Sequence, residues 1–381
     1  MSIRHAVPPT SFKRILLIKL RHHGDMLLTT PVINTLRECY PDSEIDILLY
    51  KETEAILRYH PAISVIHAID RSWKKQGVRY QLRQEIALIT SLRARHFDLV
   101  INLADQWRSA AIALLSGAPV RIGFDFQKRR SFFWRRAHSL LVSTENHGTM
   151  HTVEQNLAIL APLDIKKINR HASMYYSAAD AAARQTLLAE RAISGDYIVI
   201  QPTSRWNYKC WDDAKMAALV DALQTQGLPI VLTAAPDKNE RAMIAHILSL
   251  CHNPAVFSLA GELTLTQLAA MIDGARLFIG VDSAPMHMAA ALNTPCVALF
   301  GPTKLQHWRP WSENSTVIWA GDFAELPGPD AIDTGTQQRF LNAIPVEPVL
   351  AAALGYLSQP RNLPAASTAG EDHVVNTNQQ T

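Results

Sequence analysis

The sequence predicts an α/β protein with two doubly wound parallel-sheet domains. Short apolar runs rich in β-branched residues alternate with helical patterns along most of the chain, which is typical of βαβ units. This alternation runs twice within 381 residues, a length that suits about two domains at roughly 150 residues each. We therefore expect two Rossmann-like domains that face each other across a cleft.

Each half of the chain supplies its own set of predicted elements. In the first half the predicted strands lie at residues 14–19, 44–49, 98–103 and 120–123. Apolar residues recur at helical spacing between positions 28 and 40, and Pro41 ends this pattern. In the second half the predicted strands lie at residues 197–201, 229–233, 256–259, 277–280 and 296–300. Residues 177–193, rich in Ala, Arg and Glu, predict a helix that opens the second unit.

These elements predict the domain boundaries. The two series join between residues 162 and 177, so we expect one domain over residues 1–170 and a second over residues 171–358. Residues 359–381 are rich in Pro, Ser, Thr, Asn and Gln and lack periodicity, which predicts a disordered tail.

Composition excludes several classes of protein. Apolar residues make up 48% of the chain, enough for a sizeable core. No apolar run approaches the roughly 18 residues of a membrane span, and the N-terminus lacks a secretory apolar segment. The four cysteines have no CxxC spacing, which favours a reducing compartment and a cytoplasmic location. The net charge of +3 is too small to predict a nucleic-acid partner by bulk attraction.

Positive charge is concentrated in one stretch of the first half. Residues 71–139 hold 14 Lys and Arg against 4 Asp and Glu, an excess of +10. Such a stretch in a nearly neutral protein indicates an anionic partner on one face, and an ordinary solvated surface is the alternative.

Loops that follow predicted strands are the places to look for chemistry, because ligands of open parallel sheets bind beyond the carboxyl ends of the strands. After the first strand, Gly24 permits a tight turn and Asp25 precedes a predicted helix. Asp25 would project into the cleft as a general base, or would simply cap the helix.

Two further post-strand loops suit a phosphate-bearing ligand. Residues 202–211 combine hydroxyls, cations and three large aromatics, and Lys209 is a natural point charge for a diphosphate. Residues 277–287 place small residues at a strand-to-helix turn, where a helix N-terminus favours an anion. There Asp282 would accept ribose hydroxyls or cap the helix, and His287 would reach a phosphate or be a buried structural histidine.

Other cofactor chemistry is disfavoured. No GxGxxG follows any strand, which argues against a dinucleotide-dependent oxidoreductase, and neither a Walker A motif nor HExxH is present. The pair His22-His23 has no carboxylate or thiol at ligand spacing. We therefore expect neither a metal nor a cofactor.

Three motifs together resemble one family. They are Gly24-Asp25 with Thr29-Thr30-Pro31; Thr203-Ser204 with Lys209-Cys210-Trp211; and Val281-Asp282-Ser283-Ala284-Pro285-Met286-His287, ending in Phe300-Gly301-Pro302-Thr303. In this order they resemble the ADP-heptose:lipopolysaccharide heptosyltransferases of glycosyltransferase family 9, which are inverting enzymes of the two-domain GT-B fold. The similarity runs from about Lys13 to about Leu357. The finer detail is most similar to the branch that adds the third inner-core heptose, on the runs Lys19-Leu20-Arg21-His22-His23-Gly24-Asp25, Asp105-Gln106-Trp107-Arg108 and Arg121-Ile122-Gly123-Phe124.

The resemblance implies a role for each matched position. It implies that Asp25 is the catalytic base of an acceptor-binding N-terminal domain, and that the C-terminal domain binds the nucleotide sugar. The implied donor contacts are Thr203, Ser204, Lys209, Leu263, Asp282, Ser283, Ala284 and His287. The implied acceptor contacts are basic side chains, namely Arg21, His23, Arg108, Arg121, Lys128, Arg129 and Arg130. The resemblance also implies ADP-heptose as donor, a lipopolysaccharide inner-core acceptor, and no metal.

The basic stretch gains a candidate purpose from this resemblance. Inner-core lipopolysaccharide is anionic, and the cations between residues 128 and 136 would attract it. Trp134 and Phe132-Phe133 interleave with these charges, which predicts shallow contact with the cytoplasmic face of the inner membrane. The alternatives in function are a GT-B transferase that uses another nucleotide sugar and a non-catalytic transferase-like binding module.

Overall fold

A computed structural model describes residues 12–252 and 256–361 of the chain. The described chain divides into two compact units, residues 12–173 (unit 1) and 174–361 (unit 2). Each unit holds one six-stranded sheet whose paired strands are all parallel, so the predicted α/β fold class is confirmed. The predicted disordered tail lies, beyond Arg361, outside the described residues.

Unit 1 alternates strands and helices. Its strands are β1 Arg14–Ile18, β2 Glu44–Tyr50, β3 Val65–Ile69, β4 Leu99–Asn102, β5 Val120–Asp125 and β6 Leu140–Ser143. Its α-helices are α1 His23–Leu27, α2 Thr30–Cys39, α3 Val78–Ala94, α4 Trp107–Leu115, α5 Phe132–Ala137 and α6 Thr152–Ala158.

The sheet of unit 1 has the order β3-β2-β1-β4-β5-β6. In β1, residues 15–18 are fully buried, because helices cover both faces of a parallel sheet. Ile18 lies opposite Leu48 on one side and Asn102 on the other. The strand order therefore reverses direction between β1 and β4, and loops that leave these two strands meet at the carboxyl edge of the sheet.

Unit 2 repeats the same plan. Its strands are β7 Ile198–Gln201, β8 Ile230–Leu232, β9 Val256–Ser258, β10 Leu277–Val281, β11 Cys296–Phe300 and β12 Ser315–Trp319. Its α-helices are α7 Ala178–Glu190, α8 Asp213–Gln224, α9 Lys238–Leu250, α10 Leu265–Asp273, α11 Ala284–Ala291, α12 Leu305–Trp308 and α13 Val346–Leu357. The sheet order is β12-β11-β10-β7-β8-β9, with Gly280 opposite Gln201. Its reversal point lies between β7 and β10.

The sequence predicts the interior strands correctly and misses three of the four edge strands. All nine predicted strands are present, with small differences at their ends, whereas β3, β6 and β12 were not predicted. Every residue of β12 is only half-buried. An edge strand has a neighbour on one side alone, so its sequence lacks the continuous apolar run by which interior strands are recognised.

Helix α7 is shorter than the predicted helix of residues 177–193. Ser177 begins it with a capping box, in which its hydroxyl accepts from the backbone N–H of Asp180 and the Asp180 carboxylate accepts from the backbone N–H of Ser177. The helix ends at Glu190 because Ala192 and Gly195 adopt left-handed backbone conformations with φ of 53° and 83°.

A buried histidine in unit 1 makes stability depend on pH. His60 is 3% exposed, and its Nδ1 accepts a hydrogen bond from the backbone N–H of Ala62 at 3.3 Å. Burial lowers the pKa of His60 to about 3. The unfolded chain takes up a proton at this residue below about pH 6.5, whereas the folded chain does so only near pH 3. The fold therefore loses stability as pH falls through this window.

We expect the unfolding free energy to drop by roughly 3 kcal/mol between pH 7 and pH 4 through His60 alone, at about 1.4 kcal/mol per pH unit. Urea unfolding at a series of pH values measures this drop. In His60→Gln the drop should be smaller by that amount, while His171→Gln, at an exposed histidine of the same unit, should behave as wild type. An equal pH dependence in all three proteins would contradict the assignment.

Candidate active site

Asp25 lies at the carboxyl edge of the sheet of unit 1, just beyond β1. It is the third residue of α1, whose N-cap position is His22, so the alternative that Asp25 caps a helix is wrong. The Thr29 hydroxyl donates to the backbone carbonyl of Asp25 at 2.8 Å and fixes this turn. Within the described part of the chain, no side chain or backbone N–H donates to the half-buried Asp25 carboxylate. It is therefore available to accept a proton from a ligand.

A buried lysine not predicted as a site residue lies near Asp25. Lys19, which follows β1, is 5% exposed, and its Nζ donates to Asn156 Oδ1 at 3.0 Å. The Asn156 amide in turn donates to the backbone carbonyl of Leu28 at 2.8 Å. Burial lowers the pKa of Lys19, and the Asp25 carboxylate acts on it in the opposite direction. In the sequence, Lys19 directly follows the apolar run of β1 and is the first residue of the motif that contains Asp25.

Asp105, in the loop after β4, gathers several of the predicted acceptor contacts. Arg21 lies 3.3 Å from its carboxylate, and Lys128 forms a second ion pair with it. Arg129 Nε donates to the Asp105 backbone carbonyl at 2.5 Å. Burial acts to raise the pKa of Asp105, but the Lys128 hydrogen bond and the charge of Arg21 lower it overall. Loops that follow β1, β4 and β5 are thus tied together at one edge of the sheet.

The other predicted acceptor contacts differ in position. His23 Nε2 lies 2.8 Å from the Glu52 carbonyl, and burial lowers the pKa of its ring. Arg108 forms an ion pair with Glu85, and Arg130 lies 3.1 Å from Asp125. His23, Arg108 and Arg130 follow β1, β4 and β5, respectively, so all three lie beyond the carboxyl ends of strands.

Arg121 does not join this group. It is the second residue of β5 and so lies at the amino edge of the sheet, whereas Asp25 lies at the carboxyl edge. Its guanidinium donates to the backbone carbonyls of Ala118 and Ala137. The structure thus places Arg121 away from the edge where ligands of parallel sheets bind, and its role as an acceptor contact stays a prediction.

Trp134 is also placed differently from the prediction. It is fully buried, and its indole N–H donates to the Phe124 carbonyl at 2.9 Å. Phe132 and Phe133 are exposed by 84% and 39%. The pattern of aromatics among cations did not distinguish the inward face of α5 from its outward face, and Trp134 anchors the segment instead of presenting an aromatic to a partner.

In unit 2, Lys209 and Asp282 form a buried ion pair at the reversal point of the sheet. Lys209 lies in the loop after β7 and Asp282 directly after β10. The Lys209 Nζ donates to Asp282 Oδ2 at 2.7 Å, and the two side chains are only 10% and 7% exposed. The sequence placed both residues at a donor site without revealing their contact. Asp282 does not cap α11, because the N-cap position is Ser283.

Aromatic rings border this ion pair. The Lys209 ammonium lies 5.0 Å from the ring centre of Trp206 and 5.9 Å from that of Tyr208, and the two rings are stacked at 6.2 Å. Trp211 is buried, and its indole N–H donates to the Ile344 carbonyl at 3.1 Å. The loop after β7 is thus anchored by one aromatic and presents two others beside a cation.

The Thr203 and Ser204 hydroxyls of the same loop differ in their hydrogen bonds. The Thr203 hydroxyl donates to Glu240 Oε2 at 2.6 Å and accepts from the Gln201 amide at 2.8 Å, so its only hydrogen is used within the protein. The Ser204 Oγ accepts from the Trp206 backbone N–H at 3.5 Å, and its own hydrogen remains for a ligand. A hydrogen bond from Thr203 to the nucleotide sugar would therefore have to come from its backbone N–H.

The start of α11 has the features of an anion site. In the described part of the chain, the buried Ser283 Oγ has no hydrogen-bond partner, and Ala284 and Pro285 form the first positions of the helix. Backbone N–H groups of a first helical turn have no partner within the helix, so they attract a negative ligand. His287 is buried one turn further on, and Leu263 precedes α10 in the loop after β9.

Neither a metal centre nor a membrane span is found in residues 12–252 and 256–361. These ranges contain no group of three or more His, Cys, Asp or Glu side chains that could hold a metal ion. No helix in the same ranges is long and apolar enough to cross a bilayer.

The fold and the two edges define a class of protein. The chain has two Rossmann-like units. One carries an available carboxylate, and the other carries a buried cation beside a helix N-terminus. These features are typical of a two-domain group-transfer enzyme. Residues 86–333 match the family described as "Glycosyltransferase family 9 (heptosyltransferase)". The chain belongs to this family, which confirms the resemblance inferred from the three motifs.

Individual proteins agree with this membership. The chain is 43% identical over 333 residues to "Lipopolysaccharide heptosyltransferase 3" of Escherichia coli, covering 87% of this chain and 96% of that protein. A crystal structure of a family 9 glycosyltransferase from Veillonella parvula matches with a TM-score of 0.76 and 21% identity, covering 91% of this chain and 97% of the other. The structure of E. coli heptosyltransferase WaaC with ADP matches with a TM-score of 0.71 and 21% identity, covering 90% and 99%. These structures have the GT-B fold, which is the fold predicted for this chain.

Proposed function

We propose that this chain transfers L-glycero-D-manno-heptose from ADP-heptose to a heptose of the lipopolysaccharide inner core, where it adds the third, branch heptose. The observation that carries this proposal is the 43% identity to lipopolysaccharide heptosyltransferase 3 over 87% of the chain. ADP is the nucleotide in a solved relative. The proposed partners are therefore ADP-heptose and a lipopolysaccharide acceptor.

Asp25 is the proposed base of this reaction. Its carboxylate takes the proton from the acceptor hydroxyl, the oxygen attacks the anomeric carbon of the donor, and the bond to the diphosphate breaks with inversion. Arg21, Lys128 and Arg129, which surround Asp105, are the proposed contacts to an anionic acceptor, with His23, Arg108 and Arg130 nearby. The availability of the Asp25 carboxylate supports this role.

Unit 2 supplies the proposed donor site. Lys209 and the N-terminus of α11 stabilise the negative charge that develops on the departing ADP. Ser204, Ser283, Ala284 and His287 border the same point, and Asp282 orients Lys209 through their ion pair. Leu263 is the proposed backbone contact to adenine. Since a fixed cation and a helix N-terminus supply this stabilisation, we propose that no metal is required.

The test is acceptor-dependent release of ADP. Purified protein is incubated with ADP-heptose and lipopolysaccharide core that lacks the branch heptose, with and without a chelator. We expect ADP release only when donor and acceptor are both present, and at the same rate in chelator. UDP-glucose in place of ADP-heptose is the control donor. Release of UDP from UDP-glucose, without release of ADP from ADP-heptose, would indicate that another sugar is transferred. ADP binding without release would indicate a binding module.

The proposed location is the cytoplasm, with peripheral contact at the inner face of the inner membrane. The acceptor is carried by a lipid, so an enzyme that modifies it has to work at a bilayer surface. The exposed phenylalanines and cations of α5 support this location.

A further inference from the structure

Exposed apolar side chains are concentrated in one stretch of unit 1. Of the nine large apolar side chains exposed in the described part of the chain, eight lie between residues 78 and 133. Val78, Leu82 and Ile86 recur every four residues on α3, so they share a face of the helix, and they are 82%, 58% and 58% exposed. Three others accompany them, namely Trp107, Phe132 and Phe133. The remaining two lie apart from these six: Tyr80 is two residues from Val78 and so points away from the stripe of α3, and Leu115 is at the far end of α4.

Cations without carboxylate partners flank these apolar side chains. Within the described residues, no Asp or Glu forms an ion pair with any of six exposed cations, which are Lys74, Lys75, Arg79, Arg83, Arg135 and Arg136. Arg79 and Arg83 lie next to the apolar stripe of α3, and Arg135 and Arg136 follow the exposed phenylalanines of α5. We refer to these six cations and six apolar residues as the basic apolar face.

Side-chain contacts make this face continuous. Glu85 of α3 forms an ion pair with Arg108 of α4, and the Trp107 ring lies 6.1 Å from that of Phe133. Helices α3 and α4 and the segment that leads to α5 all begin beyond the carboxyl ends of their preceding strands. The face therefore borders the sheet edge that carries Asp25.

We propose that the basic apolar face binds the surface of an anionic lipid bilayer. A helix that presents an apolar stripe flanked by Lys and Arg is suited to lie in the headgroup region, where its apolar side chains enter the acyl boundary and its cations contact anionic headgroups. A soluble polyanion would engage the cations but would leave Val78, Leu82, Ile86 and Phe132 in water. This combination of charge and apolar side chains favours a bilayer.

The membrane-binding role deepens the proposed function and rests on it for its biological purpose. Binding through this face would bring the carboxyl edge of unit 1, with Asp25, to an acceptor held in the same membrane. Vesicle binding, however, is measured without turnover, so the two proposals are tested by different readouts.

The experiment measures flotation of the full chain with phosphatidylcholine vesicles that contain or lack phosphatidylglycerol. The first variant carries Val78→Ser, Leu82→Ser and Ile86→Ser, and the second carries Arg135→Gln and Arg136→Gln. The control carries Lys238→Gln and Arg241→Gln, which remove the same charge from exposed positions of unit 2. Thermal unfolding confirms that each variant is folded.

We expect binding to vesicles with phosphatidylglycerol that weakens as salt rises. The partition coefficient should fall roughly 30-fold in the arginine variant, at about fivefold per cation, and roughly 10²-fold in the α3 variant. The control should bind as wild type. The proposal would be overturned if wild type, both variants and the control bound equally well, or if wild type bound vesicles with and without phosphatidylglycerol equally well.

Two further arms distinguish a bilayer from a soluble saccharide as the partner of this face. Deacylated, water-soluble core should not displace the wild-type protein from vesicles, and displacement would show that the face binds the saccharide phosphates instead. ADP release with this soluble acceptor should be unchanged in the α3 variant. If wild type binds vesicles but releases no ADP, the proposed function is wrong and the membrane-binding role of the face is supported. If it releases ADP but binds no vesicles, the proposed function is supported and the membrane-binding role is wrong.

Discussion

Asp25→Asn should reduce the kcat of acceptor-dependent ADP release by roughly 10²–10⁴-fold, which is the usual contribution of a positioned general base. The substitution keeps the shape of the side chain and removes its ability to take a proton. Since no described group donates to the Asp25 carboxylate, the folded state should tolerate the change. Initial rates at saturating donor and acceptor measure the effect.

The affinity for ADP provides the first control on this result. The proposed donor contacts all belong to unit 2, so titration with ADP should give the same Kd for Asp25→Asn and wild type. Asp42→Asn makes the same chemical change at an exposed carboxylate near the amino edge of the sheet and should keep the wild-type kcat. Full activity of Asp25→Asn would assign the base to another group.

Lys209→Met should damage both catalysis and stability. We expect kcat/KM for the donor to fall roughly 10²–10³-fold, because the cation that stabilises the leaving diphosphate is lost. The unfolding free energy should fall by roughly 3–5 kcal/mol, because the Asp282 carboxylate remains buried without its partner. Urea unfolding and initial-rate kinetics on the same preparation measure the two effects.

A second substitution separates the two effects. Adding Asp282→Asn to Lys209→Met removes the uncompensated charge, so most of the lost stability should return. Activity should stay low, because the cation is still absent. Lys238→Met, at an exposed lysine of unit 2, should match wild type in both measurements. Recovery of activity together with stability in the double variant would mean that the ion pair serves the fold alone.

The class of fold could be predicted from local sequence because interior strands of a parallel sheet are buried on both faces. Their apolar runs, in β1 and β10 for example, stand out from the helical spacing between them. Edge strands β3, β6 and β12 lack that signal. The family could also be predicted, since the residues of its motifs lie close together within single post-strand loops.

Local sequence identifies which loops carry chemistry, whereas the packing of strands and helices sets how their side chains combine. Lys209 and Asp282 are far apart in the chain, and only the adjacency of β7 and β10 makes them an ion pair. In the same way, the burial of Trp134 and the position of Arg121 at the opposite sheet edge depend on strand and helix orientation. The type of each side chain defines its chemistry, but its partner and direction come from contacts between distant segments.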